Sequence, residues 1–314
     1  MAESLEQLRP RAFAIAYRML GSASEAEDVV QEALLRLHRA CAAGERISSP
    51  LAYLSTVVTR LAIDDLRSAR ARRERYVGEW LPEPLLTSED DDPASQAEMA
   101  DSLSLAFLVL LERLSPEQRA VFLLREVFDY PYEQIAAIVG RGEAAVRQLA
   151  SRARRHLQQR RPRFEASREH RERLASRFFA AVEEGDLKGL ESLLAADVAL
   201  HGDGGGRQPA ITRPLHGRSR VARTLLAWAR AAGRFGGASL RRVVVNGQPG
   251  AIALDPDGRL IGVIALDIAD GQVQAVNSLV NPDKLDHLGL PMADVAALLR
   301  AASPPPSAGP PPHA

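Results

Sequence analysis

The sequence holds a single cysteine, Cys41, which excludes an intrachain disulfide and a cysteine-based metal site. On a helix it reads as a small buried apolar residue. No run of 18 apolar residues occurs, so no membrane span is expected. The opening Met1-Ala2-Glu3-Ser4 lacks the basic and apolar succession of a secretory leader. These absences make the cytoplasm the expected location. Aromatic residues are only 5% of the 314, so the cores must be built from Leu, Val, Ile and Ala. Net charge is also absent, with 40 basic and 40 acidic residues. An evenly neutral chain would argue against nucleic-acid binding, but here the charge is segregated.

Residues 5–77 read as helices. Leu5, Leu8, Phe13, Ile15, Ala16 and Met19 lie near helical spacing, and Gly21 stops that helix. Ser22 or Ser24 caps the next, with Glu25, Glu27 and Asp28 in its first turns. After Gly44, Ser48-Ser49-Pro50 opens a third helix reaching about Arg73. Residues 79–98 hold seven acids, three prolines and no basic residue, a composition that reads as a linker without a core. Trp80 lies inside it and needs a place to dock.

Helices return over 100–160, among them Ser115-Pro116-Glu117, with its N-cap and first-turn proline. From about 168 the pattern changes. Helices are expected at 168–184, 186–195 and 217–231, then strands at 240–245, 251–254, 260–268 and 273–280. Asn246-Gly247, Asp257-Gly258 and Asp270-Gly271 mark antiparallel turns, and the order indicates a separate α+β unit.

Tyr132 through Gly140, followed by Val146, Leu149 and Ala150, fits a helix-turn-helix. Ala136 allows close helix approach, Ile135, Val139 and Val146 close a small core, and Gly140 makes the turn. Residues 141–163 hold eight arginines against Glu143, a local charge of about +7. Arg141 in the turn, and Glu143, Arg147, Gln148, Ser151, Arg152, Arg154 and Arg155 on the second helix, are offered to DNA. Arg147 and Gln148 are placed to read bases, while Arg152, Arg154 and Arg155 suit phosphates. The plainer alternative is a solvated or protein-packed arginine helix.

Residues 5–157 resemble the two-domain sigma factors of the extracytoplasmic-function group. The segments that carry the likeness are Asp28 through Leu37, Leu51 through Arg67, and Leu114 through Arg154. The remainder resembles a subgroup with a SnoaL-like extension, through Trp80-Leu81-Pro82-Glu83-Pro84, Asp203-Gly204-Gly205-Gly206-Arg207 and Asn281-Pro282-Asp283-Lys284-Leu285. The resemblance implies a multidomain fold: two all-α sigma domains, the second with the helix-turn-helix, then an α+β SnoaL-like curved-sheet domain. The boundaries expected are 1–78, an acidic linker 79–99, 100–163, 168–302 and a disordered tail 303–314.

It also implies roles. Asp28, Gln31, Glu32 and Arg36 would bind the β′ clamp helices of RNA polymerase core. Arg46, Ser48, Ser49, Arg60 and Arg67 would meet the −10 element, with Tyr53 the nearest aromatic and equally readable as core. The helix-turn-helix would take the −35 element. Trp80, Asp203, Gly204, Gly205, Gly206, Arg207, Asn281, Pro282, Asp283 and Lys284 would form an interdomain contact regulating the sigma domains in cis, without a separate anti-sigma factor. No cofactor, metal or membrane partner is expected, and no small ligand is named. SnoaL-like folds include enzymes, so His201, Asp203, His216, Asp267 and Asn277 are candidate pocket residues. The sequence lacks a nucleophile elbow, metal-ligand spacing and phosphate loop, which favours a non-enzyme. The alternative is a DNA-binding protein fused to a SnoaL-like enzyme or ligand-binding domain. A plain repressor is a third reading.

Overall fold

A computed structural model describes residues 5–73, 76–87, 102–158, 167–234 and 236–302. Most of the acidic linker beyond Thr87, the tail 303–314 and Arg160, Arg161 and Arg163 lie outside the described residues.

Three helices come first: α1 (Leu5–Leu20), α2 (Ala23–Ala42) and α3 (Pro50–Arg73). Ser22 caps α2, accepting from Glu25 N at 3.1 Å. Its apolar stripe, Val29, Val30, Ala33, Leu37 and Ala40, ends one residue before Cys41. Cys41 is therefore exposed, against the expectation of burial.

Four further helices follow: α4 (Leu105–Leu111), α5 (Pro116–Glu126), α6 (Tyr132–Val139) and α7 (Glu143–Gln158). Ser115 and Gln118 form a reciprocal capping box at α5. Ile135, Ile138, Val146 and Ala150 pack on Val121 and Leu124, closing the helix-turn-helix core. Val139 is only partly buried and packs at the edge of that core and of the α1–α3 core. The two helical groups do not have separate cores: Leu8, Ile15, Leu54 and Val58 share one cluster with Leu108, Leu111, Phe122, Ala153 and Leu157.

The C-terminal unit has helices α8 (Arg168–Glu184), α9 (Leu187–Leu193) and α10 (Arg218–Arg234), then α11 (Val295–Ala302). Its strands are β2 (Leu194–Asp203), β3 (Leu215–His216), β4 (Ser239–Val245), β5 (Gln248–Leu254), β6 (Leu260–Ala269) and β7 (Gln272–Leu279). With β1 (Leu86–Thr87) they form one curved, open sheet in the order β1-β4-β5-β6-β7-β2-β3. Asn246-Gly247 and Asp270-Gly271 turn with positive φ at both residues, as expected of tight hairpins.

Strand β2 was not expected. The helix predicted over 186–195 ends at Leu193, and the next ten residues cross to pair in parallel with β7. The apolar run through Leu190, Leu193, Leu194, Val198 and Leu200 carries no decisive period, and a distant strand settles it.

Both faces of the sheet are buried. Val198, Leu200, Ala251, Leu266 and Val276 meet α8, α9 and α10 through Leu174, Phe178, Leu190, Val221 and Leu225. The opposite face, Val245, Ile252, Val263, Ala265 and Leu279, meets Leu81, Leu105 and Leu285. Antiparallel sheets commonly leave one face to water. Here the linker and α4 cover it.

Candidate functional site

The segment 76–87 is the centre of the structure, not a solvated spacer. Leu81 is 1% exposed and Glu83 is 7% exposed. The acidic composition hides this because Glu83 has donors waiting. Its carboxylate accepts from Ala23 N (2.7 Å), Ser24 N (3.1 Å) and Ser22 Oγ (2.8 Å) at the start of α2, where orphan amides and the helix dipole favour an anion. Glu83 N donates to Gly21 O at 2.8 Å. Trp80 stands on Gly21: a Cβ there would lie 2.9 Å from the indole, and the turn has φ +68.

On its other side the segment is bonded to the sheet. Asp203, fully buried, accepts from Tyr76 Oη (2.5 Å), Leu81 N (2.9 Å), Lys284 Nζ (2.7 Å) and Gly205 N (3.1 Å). Lys284 Nζ also donates to Leu81 O and lies 4.2 Å from the Trp80 ring and 4.8 Å from the Tyr76 ring. Burial and the bond to Asp203 push the Tyr76 hydroxyl well above the usual tyrosine range, so it stays a donor. Asn281 Nδ2 donates to Tyr76 Oη at 2.8 Å. A Cβ on Gly205 would lie 2.3 Å from that amide.

Asn246 ties the three parts together. Its side chain accepts from Leu85 N (2.9 Å) and donates to Tyr17 Oη (2.7 Å) and Leu103 O (2.9 Å). Tyr17 Oη donates in turn to Glu83 O at 2.6 Å. Burial holds the Tyr17 hydroxyl well above its usual range.

Of the residues expected at an interdomain contact, Trp80, Asp203, Gly205, Asn281 and Lys284 meet here, and Gly206 lies against Val77. Arg207 and Asp283 instead bond each other at 3.2 Å on the surface. Gly204 packs on Gln208 O in its own loop, and Pro282 opens a 3-10 turn. The sequence reading missed Tyr17, Tyr76 and Asn246, and held Glu83 only as part of the Trp80–Pro84 segment, with no role of its own. Asn246 was visible only as a turn former.

The candidate pocket residues all lie on strands, with His216 exposed on the edge strand β3. His201 Nδ1 pairs with Glu79 Oε1 at 2.8 Å, so the linker holds it too. Asp267 accepts from Asn277 at 2.9 Å, and burial raises its pKa to about 6, with Asn277 and His201 opposing.

The helical groups also bond directly. Arg60 donates to Ile138 O (2.9 Å) and Ala137 O (3.0 Å), at the C-terminal end of α6. Arg67 bonds Glu117 and Asp64, and Arg141 bonds the same Glu117, holding its carboxyl below the usual range, chiefly through Arg141. Two residues expected at the −10 element therefore face the helix-turn-helix in this arrangement. Tyr130 Oη donates to Ser55 Oγ at 2.7 Å, since that hydroxyl donates to Leu51 O. Buried Arg119 reaches Met19 O, and buried Arg18 reaches Ser102 Oγ with its pKa lowered by burial to about 10.

Arg46, Ser48 and Ser49 lie in the exposed loop before α3, where Ser49 Oγ accepts from Ala52 N. Tyr53 packs partly on the core. Asp28, Gln31 and Arg36 are exposed on one face of α2 with Glu32, bonded to Arg36 at 2.7 Å, and Leu35, 49% exposed. Gln148, Ser151, Arg152 and Arg155 are exposed along α7. Arg147 bonds Glu143 and lies 4.4 Å from the Tyr132 ring, and Arg154 bonds Glu126.

Three family profiles match the chain: Sigma-70 region 2 over residues 5–72, Sigma-70 region 4 over 104–157 and a SnoaL-like domain over 175–280. The chain is 39% identical over 290 residues to the ECF RNA polymerase sigma factor SigJ of Mycobacterium tuberculosis, covering 89% of this chain and 91% of that protein. It is 38% identical over 279 residues to the probable ECF RNA polymerase sigma factor SigI of the same species, covering 87% and 91%. The crystal structure of Mycobacterium tuberculosis SigJ matches with a TM-score of 0.73 at 37% identity, covering 92% of this chain and 98% of that one.

Proposed function

The chain belongs to the extracytoplasmic-function RNA polymerase sigma factors that carry a SnoaL-like C-terminal domain, and on that premise we propose that this domain restrains the two sigma domains in cis. As a sigma factor it acts with RNA polymerase core and promoter DNA. The observation that carries the proposal is the two-sided linker: Glu83 and Trp80 engage α1 and α2, while Leu81 and Leu85 are bonded to Asp203 and Asn246 of the sheet.

In the restrained arrangement Arg60 and Arg67 bond the helix-turn-helix domain. Initiation requires that they let go. The loop 44–50 with Arg46, Ser48 and Ser49, and then Arg60 and Arg67, would face the −10 element. The exposed face of α7 would enter the major groove at the −35 element, with Arg147 and Gln148 on bases and Arg141, Glu143, Ser151, Arg152, Arg154 and Arg155 around them. The exposed α2 face of Asp28, Gln31, Glu32 and Arg36 suits the polymerase β′ clamp helices. The functional units follow 1–78, 79–99, 100–163, 168–302 and a tail 303–314, with no separate anti-sigma factor and a cytoplasmic site of action.

The C-terminal domain works here without catalysis. Its acid–base candidates His201 and Asp203 are bonded to Glu79, Tyr76, Leu81 and Lys284, which favours a structural part for them.

Run-off transcription with core polymerase tests the restraint. The full chain is compared with a Lys284→Ala chain and with one ending near residue 165. Promoter-dependent transcript should change in both. Equal output from all three would overturn cis restraint while leaving the sigma activity itself standing.

A further inference from the structure

Helix α10 carries Arg218, Arg220, Arg223, Arg230 and Arg234 and no acidic residue. Val221, Ala222, Leu225 and Leu226 bury one side of it on the sheet. Arg220, Arg223, Ala227, Arg230 and Arg234 fall at successive steps of three and four and are all exposed, so four of the arginines stand in one file. The file runs about 21 Å at 1.5 Å per residue, the rise of about six base pairs. Trp228, 36% exposed, lies beside it.

Several exposed arginines elsewhere in the chain have acids: Arg36 with Glu32, Arg147 with Glu143, Arg173 with Glu169. Among the described residues, Arg220, Arg223 and Arg230 form no ion pair. Arg223 and Arg230 only turn Nε back to Ser219 O and Leu226 O. Like charges at these spacings destabilise a helix. An anionic partner would reverse that cost.

We propose that this face of α10 is a further contact of the protein with duplex DNA, beyond those to the −10 and −35 elements, made to the phosphate backbone and blind to sequence. The occupant follows from charge and shape. Guanidinium forks match phosphate oxygens, and a row of them suits a regular line of phosphates better than a point ligand. The protein is brought to promoter DNA by its own function, so a long polyanion is its working surroundings. Arg141, Arg147 and Arg154 of the recognition region are ion-paired, while its exposed Arg152 and Arg155 form no ion pair among the described residues; the α10 file likewise leaves three arginines unopposed.

The test uses the full chain and a duplex of arbitrary sequence, titrated from about 50 to 200 mM salt. In Arg220→Gln/Arg223→Gln/Arg230→Gln, the slope of log affinity against log salt should become shallower by about 2.7, at about 0.9 per phosphate lost. Arg220→Lys/Arg223→Lys/Arg230→Lys should restore most of it, separating charge from fold. Binding should alter wild-type tryptophan emission but not that of Trp228→Phe. Equal slopes and affinities for the wild type and the Gln variant would overturn the proposal. So would unchanged DNA binding coupled with lost binding to vesicles rich in anionic lipid, which would assign the face to a membrane.

Discussion

Asp203 and Lys284 form an ion pair at 2.7 Å, with side chains 0% and 7% exposed, and both also bond the backbone of Leu81. The pair therefore does not merely join two parts of the C-terminal domain. It clamps the linker between its two charges. Removing one partner of such a buried pair leaves a charge without compensation, at a cost of about 3–5 kcal/mol.

Lys284→Met should lower the melting temperature and speed amide exchange at Leu81 and nearby residues of the linker. Asp203→Asn/Lys284→Met should recover part of the loss, because no bare charge remains. Identical exchange at Leu81 in wild type and Lys284→Met would show that the pair does not hold the linker.

Tyr130→Phe removes the bond from the helix-turn-helix domain to Ser55 on α3, with little change in volume. The bond contributes about 1 kcal/mol net, or about a fivefold shift toward the separated arrangement. Duplex affinity should rise if separation limits binding. Small-angle scattering and DNA titration together measure it, and no change in either would mean that this hydroxyl pair does not hold the domains together.

Much of this was legible beforehand where local rules agree. Ser115-Pro116 with Gln118, the Gly140 turn and the Asn246-Gly247 hairpin each signal their structure within a few residues. What stayed hidden depends on distant partners. Glu83 looks like one more linker acid until the amides of Ala23 and Ser24 are set against it. Strand β2 becomes a strand only beside β7, some eighty residues later in the chain. Tyr17 and Tyr76 had no pattern to mark them, since their hydroxyl partners lie on other domains.

Arg147→Ala and Arg154→Ala should behave differently on DNA. Loss of Arg147 from the exposed start of α7 should cost about 1–3 kcal/mol and relax preference at one position of the −35 element. Arg154, further along the helix and bonded to Glu126, should weaken binding to all sequences alike and reduce the salt slope by about one. Selection of bound sequences from a randomised −35 pool decides it: an unchanged preference in Arg147→Ala would remove that residue from base reading.

Asp267 gives the fold a pH dependence whose sign is set by burial. The residue is 6% exposed and its pKa is raised to about 6, from an ordinary value of about 3.9. Folding thus favours the protonated form. The stabilisation is complete below about pH 4, declines as pH rises to about 6, and is gone above that. At neutral pH the buried carboxylate is a liability, offset in part by the hydrogen bond from Asn277. Asp267→Asn keeps an oxygen for Asn277 and removes the charge. Its melting temperature should exceed that of the wild type at pH 7.5, with the gap closing toward pH 4. A gap that stays constant across that range would mean that packing, and not ionisation, distinguishes the two.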